Sequence, residues 1–466
     1  MSVMSSSAPL FEGRELPPGP RRKLRATLAF QRSPLQFLSR MIEDHGDIFS
    51  LDLLGMPMVL INHPDHVDHI LRTRHRNYDR GGPAYDIMRT LFGAGLTVAS
   101  RPGWLLQRRL LQPAFHRERV AAFGELMTDT VESILDGWEQ TQGRPVDLRA
   151  EMNRLALRVV VRALFAMDPA DAMIRRFTDA VDTATEELAA YLRFPLVPLS
   201  VPTPGHRRFH RALRVVNEIT HEVIRQHRRD EHDRGSLLSM MMRARDEDTG
   251  EGMSDTQLRD EVFAMLFAGH ETSASTLTWA WYLIGRHPEV EQRLRAEVDT
   301  VLGGRRPTMD DLPQLSYTRR VIDETLRLYP PGWQLVRQAA HEDEIGGYRI
   351  PAGSTIFFSS YFVHRHPDFW DAPERFDPDR FADSEGGRRD RLGYFPFGAG
   401  PRLCIGNVFA MAEMQFTLAM TVQRYRFVPS CRTPIEPKAL ITLGMAEPFT
   451  VHLEPPQHRV ATEGFG

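Results

Sequence analysis

A single cysteine lies in a glycine-rich segment whose residue types suit an iron ligand. The segment from Phe397 to Gly406 reads FGAGPRLCIG and places Gly398 and Arg402 close to Cys404. Glycines lack a Cβ, so the backbone can turn tightly and approach a flat ligand closely. An apolar helical pattern begins just after Cys404, so its sulfur should lie near a helix N-terminus, where backbone N–H groups stabilise a thiolate. The segment therefore predicts a thiolate ligand for iron, with a buried structural cysteine as the alternative.

A second polar feature interrupts the middle of a long helical pattern. This pattern covers Ser254–Arg286, begins with a capping box and would be about 50 Å long. Within it, Ala268 and Gly269 follow an apolar run, and the polar Glu271 and Thr272 come directly afterwards. A glycine inside a helix costs about 1 kcal/mol relative to alanine. The break is therefore a candidate functional groove; the alternative is that Gly269 serves close helix packing and Glu271 is solvated.

These two motifs, with the helical break before the cysteine loop along the chain, resemble those of the cytochrome P-450 family. The resemblance identifies Cys404 as the axial ligand of the iron of haem b. It also identifies Phe397, Gly398, Arg402 and Gly406 as part of the loop around the cofactor. A thiolate bound to haem iron donates electron density to the metal and favours O–O cleavage.

The same resemblance identifies the break in the long helix as an oxygen-activation groove of the pattern A-G-x-[DE]-T. In that groove the small residues, here Ala268 and Gly269, make room for dioxygen. Glu271 and Thr272 would form an acid–alcohol pair that relays protons to it, and they are the predicted catalytic residues. His270 is expected to line the groove or lie at the surface rather than to bind iron.

Three arginines and a tryptophan suit the carboxylates of a haem. Trp104 and Arg108 are four residues apart, share one helical face and can converge on one haem propionate. Arg337 resembles a second propionate-binding position of the family, and Arg402 is the third arginine. Each alone would more often be a surface arginine or a packing tryptophan. As a set they are predicted to bind the propionates, because an arginine is buried cheaply only when its charge is paired.

A charged pair on another helical pattern is predicted to stabilise the fold. Glu324 and Arg327 are three residues apart in Ser316–Leu328 and share one face of that helix. Such pairs are usually solvated, but apolar neighbours predict that this one is at least partly buried. The resemblance adds Arg375 as the third member of a Glu–Arg–Arg cluster. This cluster would hold the core together and position the loop that carries Cys404.

Composition restricts the class of protein. The chain has 466 residues, 42% of them hydrophobic, and a formal net charge of −3, which argues against nucleic acid as the main partner. Its two cysteines, Cys404 and Cys431, allow neither a disulfide framework nor a four-cysteine zinc site and fit a reducing compartment. Segment 1–16 holds no apolar run long enough for a signal peptide or a membrane anchor. We therefore expect a flexible N-terminal segment, no membrane anchor and a cytoplasmic location.

The elements that must position these residues are mostly helical. Helical periodicity predicts helices over Glu125–Glu139, Leu148–Phe165, Arg207–Arg229, Ser254–Arg286, Pro288–Leu302, Ser316–Leu328 and Asn407–Tyr425. Strands are predicted within Asp52–Asn62 and Ile345–Ser359, and loops over Asp79–Ala99, Arg193–Gly205 and Phe376–Tyr394. The expected fold class is mainly α with a minor β part, as a single domain over 17–455 followed by a tail over 456–466. The resemblance implies the cytochrome P-450 fold, with haem between the long central helix and the helix after Cys404.

The resemblance also implies a reaction and its partners. The chain would be a haem-thiolate monooxygenase that activates O2 reductively and inserts one oxygen atom into a hydrophobic small molecule, such as a terpene, a fatty acid or another natural-product intermediate. Electrons would come from a separate ferredoxin or flavodoxin with an NAD(P)H reductase, because the chain has no flavin or iron–sulfur segment. We expect a monomer. Arg109, Arg388, Arg389 and Arg391 could form a basic docking face for an acidic partner, with a solvated charge run as the alternative.

By resemblance, the substrate pocket draws on several mostly apolar segments. They are Tyr85–Thr97, Leu192–Leu196, Met265–Ala268, Trp333–Val336 and Leu443–Ala446. Arg193 could meet a substrate carboxylate. Two other functions remain as alternatives: a haem-thiolate peroxygenase or isomerase that needs no external electrons, and a haem-binding sensor without catalysis. Glu271 and Thr272 count against the first, since such enzymes commonly lack the pair.

Overall fold

The computed structural model of the protein describes residues 16–53, 56–141, 143–193, 195, 197–229, 236–245, 250, 252–382, 392–431 and 433–455. Most of the N-terminal segment predicted over 1–16, and the whole tail predicted over 456–466, lie outside these described residues. Three of the four arginines of the predicted docking face, Arg388, Arg389 and Arg391, lie outside them as well.

Helices make up most of the described chain. In chain order they are α1 (Lys23–Arg32), α2 (Pro34–His45), α3 (Pro64–Asp68), α4 (Pro83–Phe92), α5 (Gly103–Leu111), α6 (Arg117–Ala122), α7 (Gly124–Trp138), α8 (Leu148–Phe165), α9 (Asp171–Arg193), α10 (Pro204–Arg229), α11 (Leu237–Arg243), α12 (Asp255–Ile284), α13 (Pro288–Leu302), α14 (Ser316–Leu328), α15 (Ser360–Val363) and α16 (Asn407–Arg424). A π-helical turn covers His69–Thr73, and short 3-10 turns cover Gln112–Phe115, Glu139–Thr141, Pro378–Phe381 and Gly400–Arg402. Within the described ranges, no helix combines the length and the hydrophobicity that crossing a membrane requires.

Helix α12 is the long central helix that the sequence predicts. Its N-terminus is capped by Ser254, whose side chain accepts a hydrogen bond from the backbone N–H of Gln257. Helices α8, α10, α14 and α16 pack around it, so most of its residues are buried. A helix that is apolar on all sides can be stable only in such an interior position. The predicted range Ser254–Arg286 agrees with the observed one to within two residues at either end.

Within the described residues, the strands form one larger sheet and three small ones. The strands are β1 (Ile48–Asp52), β2 (Pro57–Ile61), β3 (Tyr78–Asp79), β4 (Val146–Asp147), β5 (Leu335–Ala339), β6 (Asp343–Ile345), β7 (Tyr348–Ile350), β8 (Thr355–Phe358), β9 (Arg426–Pro429), β10 (Pro437–Ala439), β11 (Leu443–Met445) and β12 (Thr450–Glu454). The larger sheet has the order β1-β2-β8-β5-β3, in which only β2 and β8 are parallel. Its register sets Asp79 on β3 opposite Gln338 on β5, which brings Arg337 close to Asp79. The small sheets are β4-β12-β9, β6-β7 and β10-β11.

The apolar core is divided in a way that positions the cysteine loop. The largest cluster lies among the helices around α12 and α16. A second cluster joins the larger sheet to Leu71 of the π-helical turn and to Phe395 and Ala399, just before Cys404. The loop is therefore held by the β part on one side and by the helical part on the other. The predicted fold class, mainly α with a minor β part, is confirmed.

Several helices, among them α1, α2, α4 and α9, lie where the sequence did not predict them. Helix α4 occupies part of the predicted loop Asp79–Ala99, so that prediction is wrong there. Its start at Pro83 and its end before Gly93, which has a φ of 60°, are ordinary helix boundary signals, but the helix has only ten residues. Helix α9 was not predicted either, although its buried residues recur at helical spacing.

Candidate active site

The loop before α16 folds back on itself around Cys404. Gly398 and Gly400 adopt φ angles of 73° and 66°, in the left-handed region that favours glycine. The backbone N–H of Cys404 donates to the carbonyl of Phe397 over 2.9 Å, which closes the loop. A Cβ on Gly400 would lie 2.0 Å from the carbonyl oxygen of Leu71, so only glycine fits against the π-helical turn. Helix α16 begins three residues after the sulfur.

The sulfur of Cys404 faces an internal space. The side chain is exposed, yet protein surrounds it closely enough for burial to raise the pKa of the thiol. The exposed surface of the side chain and the raised pKa of the thiol are compatible if that surface lines a space inside the protein rather than bulk solvent. The backbone N–H of Gly406 and the guanidinium of Arg108 act against burial and favour the thiolate. A thiolate is the form that binds a metal, so the setting fits an iron ligand.

Three arginine side chains converge beside this loop with too little negative charge to balance them. Arg402 donates to the carbonyl of Ala99 over 2.9 Å and pairs with the carboxylate of Asp79. Arg337 is 3% exposed, and burial lowers its pKa to about 10. Arg80 donates to two backbone carbonyls, while its buried Nε has no hydrogen-bond partner among the described residues.

Burial, together with the nearby charges of Arg80 and Arg337, lowers the pKa of Arg402 to about 9. One carboxylate, Asp79, cannot neutralise three guanidinium groups, and unpaired buried charges are costly. The cluster therefore fits a ligand that brings its own carboxylates, as haem does with its two propionates. Arg80 was missed in the sequence, where it follows a short strand and belongs to no motif.

Trp104 and Arg108 on α5 both face the cysteine loop. The Arg402 guanidinium lies over the ring of Trp104, 4.3 Å from its centre. Arg108 donates to the carbonyl of Leu403 over 2.8 Å. Trp104 therefore supports Arg402, and Arg108 holds the backbone next to Cys404, while their convergence on one propionate stays a prediction.

The predicted groove on α12 is a gap in an otherwise buried helix. Ala268, Gly269 and Thr272 are half-buried, whereas the residues of the preceding two turns are buried. The hydroxyl of Thr272 donates to the carbonyl of Ala268 over 2.7 Å. A Cβ on Gly269 would lie 2.7 Å from a methyl carbon of Val160 on α8, so this glycine permits close packing of the two helices. Packing was the alternative considered for Gly269 in the sequence.

The two carboxyl oxygens of Glu271 differ in their hydrogen bonding. Its Oε1 accepts a hydrogen bond from the hydroxyl of Thr442, while its buried Oε2 has no partner among the described residues. Burial raises the pKa of this carboxyl to about 7, and the hydrogen bond from Thr442 opposes the rise. Glu271 can therefore hold or release a proton near neutral pH. Thr442 was missed, because a threonine before a short strand carries no recognisable signal.

His270 lies in the core rather than at the surface. It is 2% exposed, and its Nδ1 hydrogen bonds with the carbonyl oxygen of Leu266 over 2.7 Å. Its ring packs against Phe177 of α9, with the ring centres 5.6 Å apart. Burial lowers the pKa of His270 to about 4, so the imidazole is neutral. It points toward α9, so a surface position for it was wrong.

Glu324 and Arg327 on α14 form a pair with side chains that are completely buried, at 0% exposure. Arg327 donates to both carboxylate oxygens of Glu324, over 2.6 and 2.8 Å. It also donates to the backbone carbonyls of His364, Pro373 and Arg375. These bonds use all of the N–H donors of a guanidinium group. A buried ion pair persists only when its remaining hydrogen-bonding capacity is satisfied in this way.

The side chain of Arg375 does not complete this cluster, so that prediction is wrong. It is 67% exposed and pairs with Asp377, and only its backbone carbonyl reaches Arg327. Arg380 takes the predicted place: it is 7% exposed, and its Nε lies 3.4 Å from Glu324 Oε1. The 3-10 turn Pro378–Phe381 packs on α14 and carries Arg380 back toward the pair, a turn that sequence spacing does not reveal.

The predicted pocket segments approach one another in part. The Tyr85 hydroxyl on α4 donates to the carbonyl of Val336 on β5 over 3.3 Å. Arg193 donates to the carbonyl oxygens of Gln31 and Ala439, over 3.3 and 2.9 Å, so in the structure it bridges α1, α9 and β10. Two positions of the predicted segment Leu192–Leu196 lie outside the described residues.

Comparisons with known proteins agree with this geometry. The model of the family described as Cytochrome P450 matches residues 17–450. The chain is 40% identical over 430 residues to cyclooctatin synthase of Streptomyces melanosporofaciens, covering 92% of this chain and 93% of the relative. It is 39% identical over 413 residues to cyclooctat-9-en-7-ol 5-monooxygenase of the same organism, covering 88% and 89%. It is 36% identical over 412 residues to pentalenene oxygenase of Streptomyces avermitilis, covering 88% and 91%.

A solved structure is similar as well. The crystal structure of the cytochrome P450DA heme domain superimposes with a TM-score of 0.84 at 28% sequence identity, covering 95% of this chain and 98% of that chain. The predicted cytochrome P-450 fold is confirmed by this likeness. The family implies haem b as the cofactor, O2 as a substrate, a hydrophobic second substrate and an electron-transfer partner. The chain thus belongs to the cytochrome P-450 family and is a haem-thiolate monooxygenase.

Proposed function

We propose that the chain oxygenates a terpene in secondary metabolism. The observation that supports this substrate class most directly is that relatives 39% and 36% identical over 88% of the chain are a cyclooctat-9-en-7-ol 5-monooxygenase and a pentalenene oxygenase. The mainly apolar character of the predicted pocket segments supports it too, since a hydrocarbon gains free energy when it leaves water for an apolar wall. Arg193 already donates hydrogen bonds to two backbone carbonyl groups, so it does not need a substrate carboxylate as its partner.

We infer the following roles around the cofactor, for which the site geometry is the support. Haem b, when bound, supplies the redox chemistry that divides O2 between substrate and water. Cys404 would supply the thiolate that binds its iron. Arg80, Arg337 and Arg402 would pair with the propionates, and Trp104 would support Arg402 from its ring face. Arg108 would fix the loop through the carbonyl next to the sulfur, while Phe397, Gly398 and Gly406 shape that loop.

We infer that the groove of α12 handles protons. The Thr272 hydroxyl, fixed by its bond to the carbonyl of Ala268, would present its oxygen to the space next to the helix. Ala268 leaves room there because its side chain is small. Glu271 would supply the proton, since its buried carboxyl has a pKa of about 7. Gly269 would contribute indirectly, by keeping α12 against α8.

The proposed reaction consumes one O2, two electrons and two protons per substrate molecule. One oxygen atom enters a C–H or C=C bond of the terpene, and the other leaves as water. We propose that the electrons come from a ferredoxin or flavodoxin with its NAD(P)H reductase, and that the protein acts as a cytoplasmic monomer. The exposed Arg109 on α5, close to the cysteine loop, is a candidate contact for such an acidic partner.

The test is a screen of cyclic terpenes and terpene alcohols, with fatty acids of similar size as the matched control class. The haem-loaded protein is titrated with each compound, and the change in the haem absorption spectrum is recorded. Compounds that bind are then incubated with a surrogate redox pair and NAD(P)H, and the products are identified by mass spectrometry. We expect oxygenated terpene products. Turnover of fatty acids alone would contradict the substrate class, and turnover with peroxide but not with the redox pair would favour a peroxygenase.

A further inference from the structure

Two histidines and an aspartate meet beside the larger sheet, and none of them belongs to the site around Cys404. His63 lies between β2 and α3, while His366 and Asp368 follow α15. One nitrogen or oxygen atom from each of the three side chains lies within 4.8 Å of the others. The two chain segments are far apart in the sequence, so only the folded protein brings these possible metal ligands together.

Hydrogen bonds fix the ring of His366. Its Nε2 lies 3.3 Å from both carboxylate oxygens of Asp47, and its Nδ1 accepts a hydrogen bond from the backbone N–H of Asp368 over 3.2 Å. Because Nδ1 is an acceptor, the proton of the neutral ring is on Nε2 and is donated to Asp47. The amide of Asn62 donates to the same carboxylate over 3.0 Å. A carboxylate on one ring nitrogen, with the other nitrogen left as the donor atom, is the usual arrangement of a metal-binding histidine.

His63 faces carboxylates with both of its nitrogens. Its Nε2 lies 4.0 Å from Oδ2 of Asp368, and its Nδ1 lies 4.0 Å from Oδ2 of Asp65 and accepts from the backbone N–H of that residue. An ion on Nε2 would shift the ring proton to Nδ1, where the Asp65 carboxylate can accept it. The ring centres of His63 and His366 are 5.0 Å apart, and both rings pack against Phe369. The two imidazoles are therefore held next to each other by the protein.

The three groups need only a small movement to reach the spacing of a metal site. Around a tetrahedral zinc ion with bonds of about 2.0–2.1 Å, the ligand atoms are about 3.3 Å apart. The side chain of Asp368 is 69% exposed and can turn toward the histidines, whereas that of His366 is 5% exposed. The exposed side also leaves room for a water ligand. Two imidazole nitrogens, one carboxylate oxygen and a water form a donor set that suits zinc.

We propose that His63, His366 and Asp368 bind a divalent transition-metal ion, for which Zn2+ is the best fit. Asp47 and Asp65 would orient the two imidazole rings. The site is independent of the substrate proposed above, because it shares no residue with the candidate active site.

The ion would join the start of α3 to the segment after α15. That segment is already connected to the core: the carbonyl of His364 accepts a hydrogen bond from Arg327, and its Nε2 accepts one from the backbone N–H of Phe395. A bound ion would therefore stabilise the part of the chain that leads to the cysteine loop. A ligand that binds only the folded protein raises its unfolding temperature.

Isothermal titration of the haem-loaded protein with ZnCl2 tests the site. The protein is prepared without an affinity tag and treated with EDTA, which removes loosely held ions and leaves the haem iron in place. We expect one Zn2+ per chain, with a Kd in the micromolar range or below. Mg2+ should not bind, because it prefers oxygen ligands. Zn2+ should also raise the unfolding temperature.

Variants separate this site from weak binding to scattered surface groups. Asp47→Asn should weaken Zn2+ binding by about 10- to 100-fold, as is typical for a residue that orients a ligand, and His63→Ala and Asp368→Asn should weaken it at least as much. His221→Ala on α10 and Asp44→Asn on α2 remove exposed groups of the same types and should bind like the unaltered protein. The haem absorption spectrum shows that each variant is folded.

The Asp368→Asn variant is decisive, because this side chain is largely exposed and its replacement does not endanger folding. Equal Zn2+ affinity of Asp368→Asn and the unaltered protein would overturn the proposal. The absence of Zn2+ binding to the unaltered protein would overturn it as well, and would show that the cluster is held by hydrogen bonds alone.

Discussion

Arg327 and Glu324 share two hydrogen bonds of 2.6 and 2.8 Å in a part of the molecule where neither side chain touches solvent. The pair does more than join neighbouring turns of α14. Through the carbonyls of His364 and Pro373, Arg327 also binds the chain segment that leads from α15 toward the cysteine loop. The charge pair therefore connects helix packing to the position of the loop.

Replacing Arg327 with Met should destabilise the fold by about 3–5 kcal/mol, because it leaves the Glu324 carboxylate buried without its partner. Urea unfolding of the haem-free protein measures the loss. Arg225→Ala, which removes an exposed ion pair with Glu222 on α10, is the matched control and should change stability little. Equal effects of the two substitutions would show that burial of the α14 pair has no energetic consequence.

Arg380 and Arg375 should differ in their contribution to stability. Arg380→Ala removes a buried guanidinium next to Glu324 and should cost about 1–3 kcal/mol. Arg375→Ala removes an exposed side chain whose carbonyl, the group that Arg327 binds, is retained. Its unfolding curve should nearly overlay that of the unaltered protein. The reverse order of effects would restore Arg375 as the third member of the cluster.

Cys404→Ser should abolish the absorption band of the reduced, CO-bound protein that is typical of thiolate ligation. A hydroxyl group does not replace a thiolate as a donor to iron. Cys431→Ser provides the control, because this second thiol is exposed and hydrogen bonds with Thr433, outside the site. The band should persist in the control. Its survival in Cys404→Ser would refute the ligand assignment.

Thr272→Ala should leave haem binding intact and divert electrons from product into hydrogen peroxide. The reason is that the hydroxyl fixed above the Ala268 carbonyl is lost, while the helix itself is undisturbed. Thr276→Ala removes a similar hydroxyl bond one turn later and should have a much smaller effect. The ratio of product formed to NAD(P)H consumed measures the difference. Unchanged coupling in Thr272→Ala would exclude this residue from proton delivery.

A buried carboxyl on α16 should make stability depend on pH. Glu413 is 0% exposed, and burial raises its pKa from an ordinary value of 4.5 to about 8. The folded protein therefore binds more protons than the unfolded chain between these values, so this residue lowers stability as pH rises from about 4.5 to about 8. Glu413→Gln should flatten that slope in urea unfolding, whereas Glu118→Gln, on the surface of α6, should not. An unchanged slope in Glu413→Gln would show that the carboxyl does not titrate in this range.

The sequence allowed the chemistry to be predicted where a residue's role depends on near neighbours in the chain. Three features show this: the cysteine loop, the break in α12 and the Glu324–Arg327 pair. Within each of them the important residues lie only a few positions apart, so their spacing alone indicates the feature. Helix α12 was predictable because its capping serine and its length leave few alternatives. These are local properties, and local patterns are what sequence inspection detects best.

The rest of the site depends on contacts between distant segments. Arg80 joins the arginine cluster only because β3 pairs with β5, and Thr442 reaches Glu271 only because a hairpin near the C-terminus lies against α12. Arg380 replaces Arg375 because a short 3-10 turn reverses the chain. No periodicity or motif in the sequence predicts these contacts. Helix α4 was missed for a local reason. The residues that mark its two ends are present in the sequence, but only ten residues lie between them, too few to indicate a helix.

The close approach of Gly400 to the Leu71 carbonyl has a consequence for how the protein is made. The metal-binding loop reaches its final shape only when a segment from the beginning of the chain lies against one from its end. Contacts between such distant segments form slowly, because the long intervening chain must be ordered first. The cofactor should therefore be captured after synthesis of the polypeptide is complete, and nascent fragments that lack α16 should not retain it.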